Sequence, residues 1–153
     1  MSSTDPGLHS LPNIQAQTVL VIEDEIFVRS ALSDFLRTCG MHVIEAANAA
    51  EAIRVLASGT DIDLLFSDVQ LPGFIDGIGL AQWVALEHPS IKIILTTGLA
   101  ERAWGSTANY VVIPKQYEHH DLEARIRILL GESRCELAAR KAPSRGPHSG
   151  SIN

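Results

Sequence analysis

The stretch DLLFSDVQLPG, residues 63 to 73, decides how this chain folds. Leu64, Leu65 and Phe66 form an unbroken apolar run rather than an alternating one, which marks a strand buried on both faces. Polar Ser67 and Asp68 close the run, and Leu-Pro-Gly then turns the chain out of the strand. A strand of this kind needs helices over both its faces, and the flanking sequence supplies them. Val19 to Ile22 and Ile93 to Leu95 are further continuous apolar runs. The full order is TVLVIE, Ile26 to Cys39, HVIEA, Ala49 to Ser58, DLLFSD, Ile78 to Glu87, IKIILTT, YVVIP and Asp121 to Leu130. In the first long segment Val28, Leu32, Phe35, Leu36 and Cys39 share one helical face, and in the last Leu122, Ile126, Leu129 and Leu130 do the same. Strands alternating with helices predict an α/β fold with a doubly wound parallel sheet.

Working outward, residues 1–17 are rich in Ser, Pro, Asn and Gln without apolar periodicity, and the last stretch, KAPSRGPHSGSIN, is similar. Both are expected to be flexible, leaving a folded unit over 18–140 and a tail over 141–153. Gly131 is placed to end the last helix, although ESRCELAARK is also able to continue it. GLAERAWGSTAN, between the fourth and fifth strands, has few apolar positions and supports at most a short helix.

A length of 153 residues suits one domain. With 46% hydrophobic and 20% charged residues the chain can bury a core while keeping a polar surface. A net charge of -6 argues against nucleic acid or an anionic membrane as partner, since phosphate-rich surfaces demand clustered Lys and Arg. No secretory leader and no apolar run of membrane-spanning length is present, so the cytoplasm is the expected location. Cys39 and Cys135 lie far apart, outside any metal-ligand spacing, and read as two reduced thiols.

In a parallel sheet all strands end at one edge, where ligands of open α/β sheets bind. Those ends offer Glu23 and Asp24, then Asp68, then Thr96 and Thr97, and finally Lys115. Three gathered carboxylates repel unless a cation neutralises them, and hard oxygen ligands suit Mg²⁺. Such a crevice can bind a phosphoryl group, with one carboxylate as nucleophile forming an aspartyl phosphate, Lys115 meeting its charge and a threonine hydroxyl bonding to it.

At these residues the chain resembles the receiver family of response regulators in two-component signalling. The resemblance is carried by VLVIEDE at 19–25, DLLFSDVQLPG at 63–73, DG at 76–77, TTG at 96–98 and IPK at 113–115, and it covers about residues 18–130. It implies a flavodoxin-like sheet of five strands in the order 2-1-3-4-5. It further implies Asp68 as phosphoacceptor, Glu23, Asp24 and the Gln70 backbone carbonyl as Mg²⁺ ligands beside Asp68, Thr97 as switch hydroxyl and Lys115 as phosphate-sensing lysine. The implied partners are a sensor histidine kinase or histidine phosphotransfer protein and a separate downstream protein, with a homodimer left open and no enzymatic turnover beyond self-dephosphorylation.

Three positions depart from the family pattern. Gln116 follows Lys115 where most members have proline, which predicts an altered loop. Val112 stands where many members carry an aromatic that turns inward, leaving Tyr110 or Trp104 as candidate readouts. Between Pro72 and Asp76 the chain reads GFI, one residue more than usual, which enlarges the loop beside Asp68.

Simpler roles compete for several residues. Glu25 reads as an acid complementing a helix N-terminus, Thr96 as a strand residue, His119-His120 as a solvated helix start and Trp83 as partly buried packing beside Leu80 and Val84. A phosphate sink or a pseudo-receiver that binds partners without phosphorylation remains an alternative function. A small phosphohydrolase resembling the haloacid dehalogenase class would carry a second Asp two residues after the nucleophile, where Gln70 stands. A flavodoxin-like flavin protein would need a Gly/Ser/Thr-rich phosphate cradle in place of EDEIFVRS.

Overall fold

The structure, a computed structural model, describes residues 16–99 and 109–131. Five strands, β1 Thr18–Ile22, β2 His42–Ala46, β3 Leu64–Asp68, β4 Lys92–Thr97 and β5 Val111–Pro114, form one parallel sheet in the order β2-β1-β3-β4-β5. Among the described residues four helices connect or follow them: α1 Ile26–Thr38, α2 Ala49–Ala57, α3 Gly77–Glu87 and α4 His119–Leu129. The doubly wound parallel sheet read from the alternation of segments is observed, in the strand order that the receiver resemblance implies.

The continuous apolar strands work as their composition requires. Leu20, Ile22 and Leu65 face a core completed by Ala52, Leu56, Leu80 and Val84 of α2 and α3. Val19, Val21, Leu64 and Phe66 face the opposite core with Leu32 and Leu36 of α1 and Leu122 and Ile126 of α4. Each such fully buried side chain contributes roughly 1.5 to 3 kcal/mol through apolar burial, so β3 is the axle of both cores. Local signals set the helix starts: Asn48 accepts from the Glu51 N–H at 2.9 Å while the Glu51 carboxylate accepts from the Ala47 N–H at 2.7 Å. Asp76 caps α3 by accepting from the Gly79 N–H at 2.8 Å.

Some expectations are refined. Val28 begins the predicted apolar face of α1 yet is 43% exposed, like Ile26 and Phe27 in the same first turn, whereas Leu32 and Leu36 of the later turns are buried. His119 and His120 open α4 as expected, His120 exposed and His119 half-buried, and both rings also meet Phe35 of α1, with centroids 5.2 and 5.3 Å apart. Trp83 is half-buried against the α2 and α3 core, as its spacing suggested. Gly131 takes a positive φ of 94° directly after α4, the conformation that makes glycine useful at a helix end. The predicted short helix after β4, Trp104, Cys135 and the helical continuation after Gly131 lie outside the described residues.

Candidate functional site

The carboxyl ends of β1, β3, β4 and β5 deliver the charged residues to one crevice. Asp68 ends β3 in register with Thr96 of β4, and the Val69 N–H donates to the Thr96 carbonyl at 2.9 Å, so the chain leaves the sheet under restraint. The Asp68 side chain is 2% exposed. Its Oδ1 accepts the Gln70 N–H at 3.0 Å, and its Oδ2 lies 2.6 Å from the Lys115 ammonium. Lys115 reaches it because its own N–H donates to the Thr97 carbonyl at 2.8 Å, extending the β4–β5 ladder by one residue. Gln116 in place of proline therefore does not prevent the lysine from meeting the aspartate.

Glu23 follows β1, buried, with its N–H bonded to the Ala46 carbonyl at 3.1 Å and its Oε1 accepting the Glu25 N–H at 3.2 Å. Asp24 beside it is exposed. One carboxylate oxygen from each of Glu23, Asp24 and Asp68 falls within 4.8 Å of the others. Burial, with the nearby Asp68 charge adding to it, pushes the Glu23 carboxyl up to about 7 despite the Glu25 N–H and Lys115, which act the other way. Contact with Asp68 raises Lys115 above the ordinary lysine range. This donor set, three hard oxygens sharing one ammonium, fits a small divalent cation.

Thr97 is buried, and its hydroxyl oxygen accepts the Leu99 N–H at 3.2 Å, leaving its own proton free to donate. Thr96 is equally buried, and its hydroxyl has no partner among the described residues. Glu25 occupies the N-cap of α1 without a side-chain cap bond. Val112 and Tyr110 are both half-buried against the α2 and α3 core. Tyr117 was not singled out from the sequence, yet its ring meets Phe66 edge-on at 5.7 Å. Burial and the charges of Glu23 and Asp68 raise its hydroxyl to about 12. The aromatic two residues after Lys115 was the available signal.

The enlarged loop is held at both ends. Gly77 donates its N–H to the Val69 carbonyl at 2.8 Å, and a side chain there would strike the Asp68 carbonyl at 2.0 Å. Between these ends Gly73 takes a φ of 103°, and Phe74 stands fully in solvent.

The family model of the response regulator receiver domain matches residues 19–127. The chain belongs to that family. This receiver domain is 33% identical over 118 residues to the sensor kinase CckA of Brucella abortus, covering 74% of the chain and 12% of that protein. It is 36% identical over 123 residues to the probable transcriptional regulator ycf27 of Cyanophora paradoxa, covering 76% of the chain and 49% of that protein. The chain thus spans half or less of these curated relatives. Among solved structures, the response regulator TrrA of Thermotoga maritima in complex with Mg(2+)-BeF superposes with a TM-score of 0.64 at 27% identity, covering 74% of this chain and 98% of that one. Among the described residues no helix is long and apolar enough to cross a membrane.

Proposed function

We propose that this receiver domain takes a phosphoryl group on Asp68 from the phosphohistidine of a sensor kinase or phosphotransfer protein. The observation that carries the proposal is the Lys115 ammonium 2.6 Å from Asp68 Oδ2 in a pocket shared with Glu23 and Asp24. An Asp68 oxygen forms the new P–O bond as the P–N bond breaks, and the donor histidine, protonated on its other ring nitrogen, takes the P–N electron pair and leaves as neutral imidazole. Glu23, Asp24, Asp68 and the Gln70 carbonyl would hold Mg²⁺, which when bound offsets the charge of the phosphoryl oxygens. Lys115 meets the remaining charge, and the Thr97 hydroxyl turns its free proton to a phosphoryl oxygen.

Apolar side chains follow three of the strands that form the crevice: Ile26 and Phe27 after β1, Phe74 after β3 and Leu99 after β4 are all at least half exposed. Such a rim suits a protein donor rather than a metabolite. The output passes by protein contact to a target protein, so the domain acts as a switch rather than as an enzyme. Self-dephosphorylation is the sole turnover assigned to it.

Incubating the full chain with acetyl phosphate and Mg²⁺ and measuring its intact mass tests the reading. One phosphoryl adduct is expected on the wild type and none on Asp68→Asn. An undiminished adduct on the variant would refute it.

A further inference from the structure

We infer that Arg29 is a positioning residue for the divalent cation of the acidic pocket, an inference that rests on the cation reading given above. Arg29 lies in the first turns of α1, and its side chain is 17% exposed. Its Nη1 donates to the main-chain carbonyl of Glu23 at 2.8 Å. That carbonyl belongs to the single peptide plane joining Glu23 to Asp24, the two consecutive acids of the pocket. Fixing the plane fixes the directions in which both carboxylates leave the backbone.

The other side of the guanidinium is anchored on the sheet. Arg29 Nε lies 3.5 Å from Glu45 Oε1 on β2, and Glu45 Oε2 lies 3.2 Å from Arg37 Nη2. Arg37 also donates to the Val43 carbonyl at 3.2 Å, so the far end of the chain of contacts is tied to β2 main chain. Glu23 is consequently held at both of its backbone groups: its N–H by Ala46 of β2 and its carbonyl by Arg29. A planar guanidinium presents donors in two fixed directions at once, which a lysine ammonium on a flexible stem does not. Groups that orient metal ligands without touching the metal commonly carry 10- to 100-fold in affinity.

Charge and positioning make opposite predictions, which allows a clean test. Removing a cation near three carboxylates should by electrostatics alone strengthen Mg²⁺ binding, whereas releasing the Glu23–Asp24 peptide should weaken it. Calorimetric titration of the full chain with Mg²⁺, alongside melting in chelator, is therefore run on wild type, Arg29→Met, Arg29→Lys and Glu45→Gln. Roughly tenfold or weaker binding is expected for Arg29→Met. Arg29→Lys should keep the charge without recovering the affinity, and Glu45→Gln should show a smaller loss in the same direction. Unchanged or tighter binding by Arg29→Met overturns the inference, even if that variant melts earlier. If Arg29→Met does not fold, unchanged affinity in Glu45→Gln overturns it instead. Failure of the wild type to bind Mg²⁺ refutes the cation reading itself, a result distinct from equal binding by all four proteins.

Discussion

Replacing Gly77 by alanine adds one carbon where the backbone leaves no room. An ideal Cβ at this position lies 2.0 Å from the Asp68 carbonyl oxygen, 2.8 Å from Val69 Cα and 2.9 Å from the Asp68 carbonyl carbon, while ordinary contacts begin near 3.4 Å. All three obstacles are main chain, so no rotamer change can relieve them. The gap must open by more than an ångström, against the Gly77 N–H bond to Val69 and the Val69 N–H bond to Thr96. Overpacking of this kind costs about 1 to 3 kcal/mol. Alanine returns at most about 1 kcal/mol through helix propensity, and less at the first residue of α3. A net loss of about 2 kcal/mol corresponds to a melting temperature lower by on the order of 10 °C.

Two of the three obstructing atoms belong to Asp68 itself, so the proposed phosphoacceptor moves with the strain. An ångström of displacement at a reacting group can cost about 100-fold in rate. Gly79→Ala is the matched control, because its Cβ meets side-chain atoms, Ile75 Cγ2 at 3.2 Å and Asp76 Oδ1 at 3.4 Å, which are able to yield. Urea unfolding followed by Trp83 fluorescence, together with the rate of phosphorylation by acetyl phosphate, compares the two. Gly77→Ala should lose stability and rate, while Gly79→Ala should stay within about 1 kcal/mol of wild type. Equal behaviour of the two variants would falsify the steric reasoning.

Three further outcomes follow from buried polar groups. Glu23 binds its proton more tightly in the folded chain, at about 7 against 4.5, so folding is favoured at low pH and loses stability as pH rises through that interval. Urea midpoints in chelator should fall between pH 5 and 8 by on the order of 2 kcal/mol, and Mg²⁺, which takes the deprotonated carboxylate, should reduce the fall. Thr96→Val removes a buried hydroxyl that has no partner among the described residues and should stabilise the metal-free protein by about 1 kcal/mol in the same titration. Arg127 pairs with Glu123 and donates from Nη2 to the Cys39 carbonyl at 2.7 Å, tying the end of α1 to α4. Arg127→Met should cost about 3 kcal/mol with little change in Mg²⁺ affinity, as read by denaturation and calorimetry.

The parts of the fold legible in the sequence are those written in side-chain periodicity. Val19 to Ile22, Leu64 to Phe66 and Ile93 to Leu95 carry no alternation because helices cover both faces, and that alone predicts parallel strands. Val28 is more exposed than Leu32 and Leu36 on the same face, which the pattern does not foretell, because periodicity states which residues share a face but not which turns are covered. The contact of the histidines at the start of α4 with Phe35 was not legible, because Phe35 lies more than eighty residues away in the chain. Arg127 was not singled out either, since its acceptor is a main-chain carbonyl in another helix.

The same division runs through the candidate site. Glu23, Asp24, Asp68, Thr97 and Lys115 were legible as residue types at strand ends, and the structure brings the acids and the lysine together. What holds them there was not legible, because apart from Arg29 on the Glu23 carbonyl it is made of main-chain bonds: Glu23 to Ala46, Val69 to Thr96, Gly77 to Val69 and Lys115 to Thr97. This arrangement has a physical logic. A pocket that gathers three carboxylates around one ammonium repels itself, so side-chain contacts alone would let it relax apart. Backbone bonds between neighbouring strands and loops supply most of the restraint without adding counter-charges, and the one guanidinium that helps, Arg29, is itself paired with Glu45. The crevice can then stay acidic in the folded chain, as the proposed binding of a cation and a phosphoryl group requires.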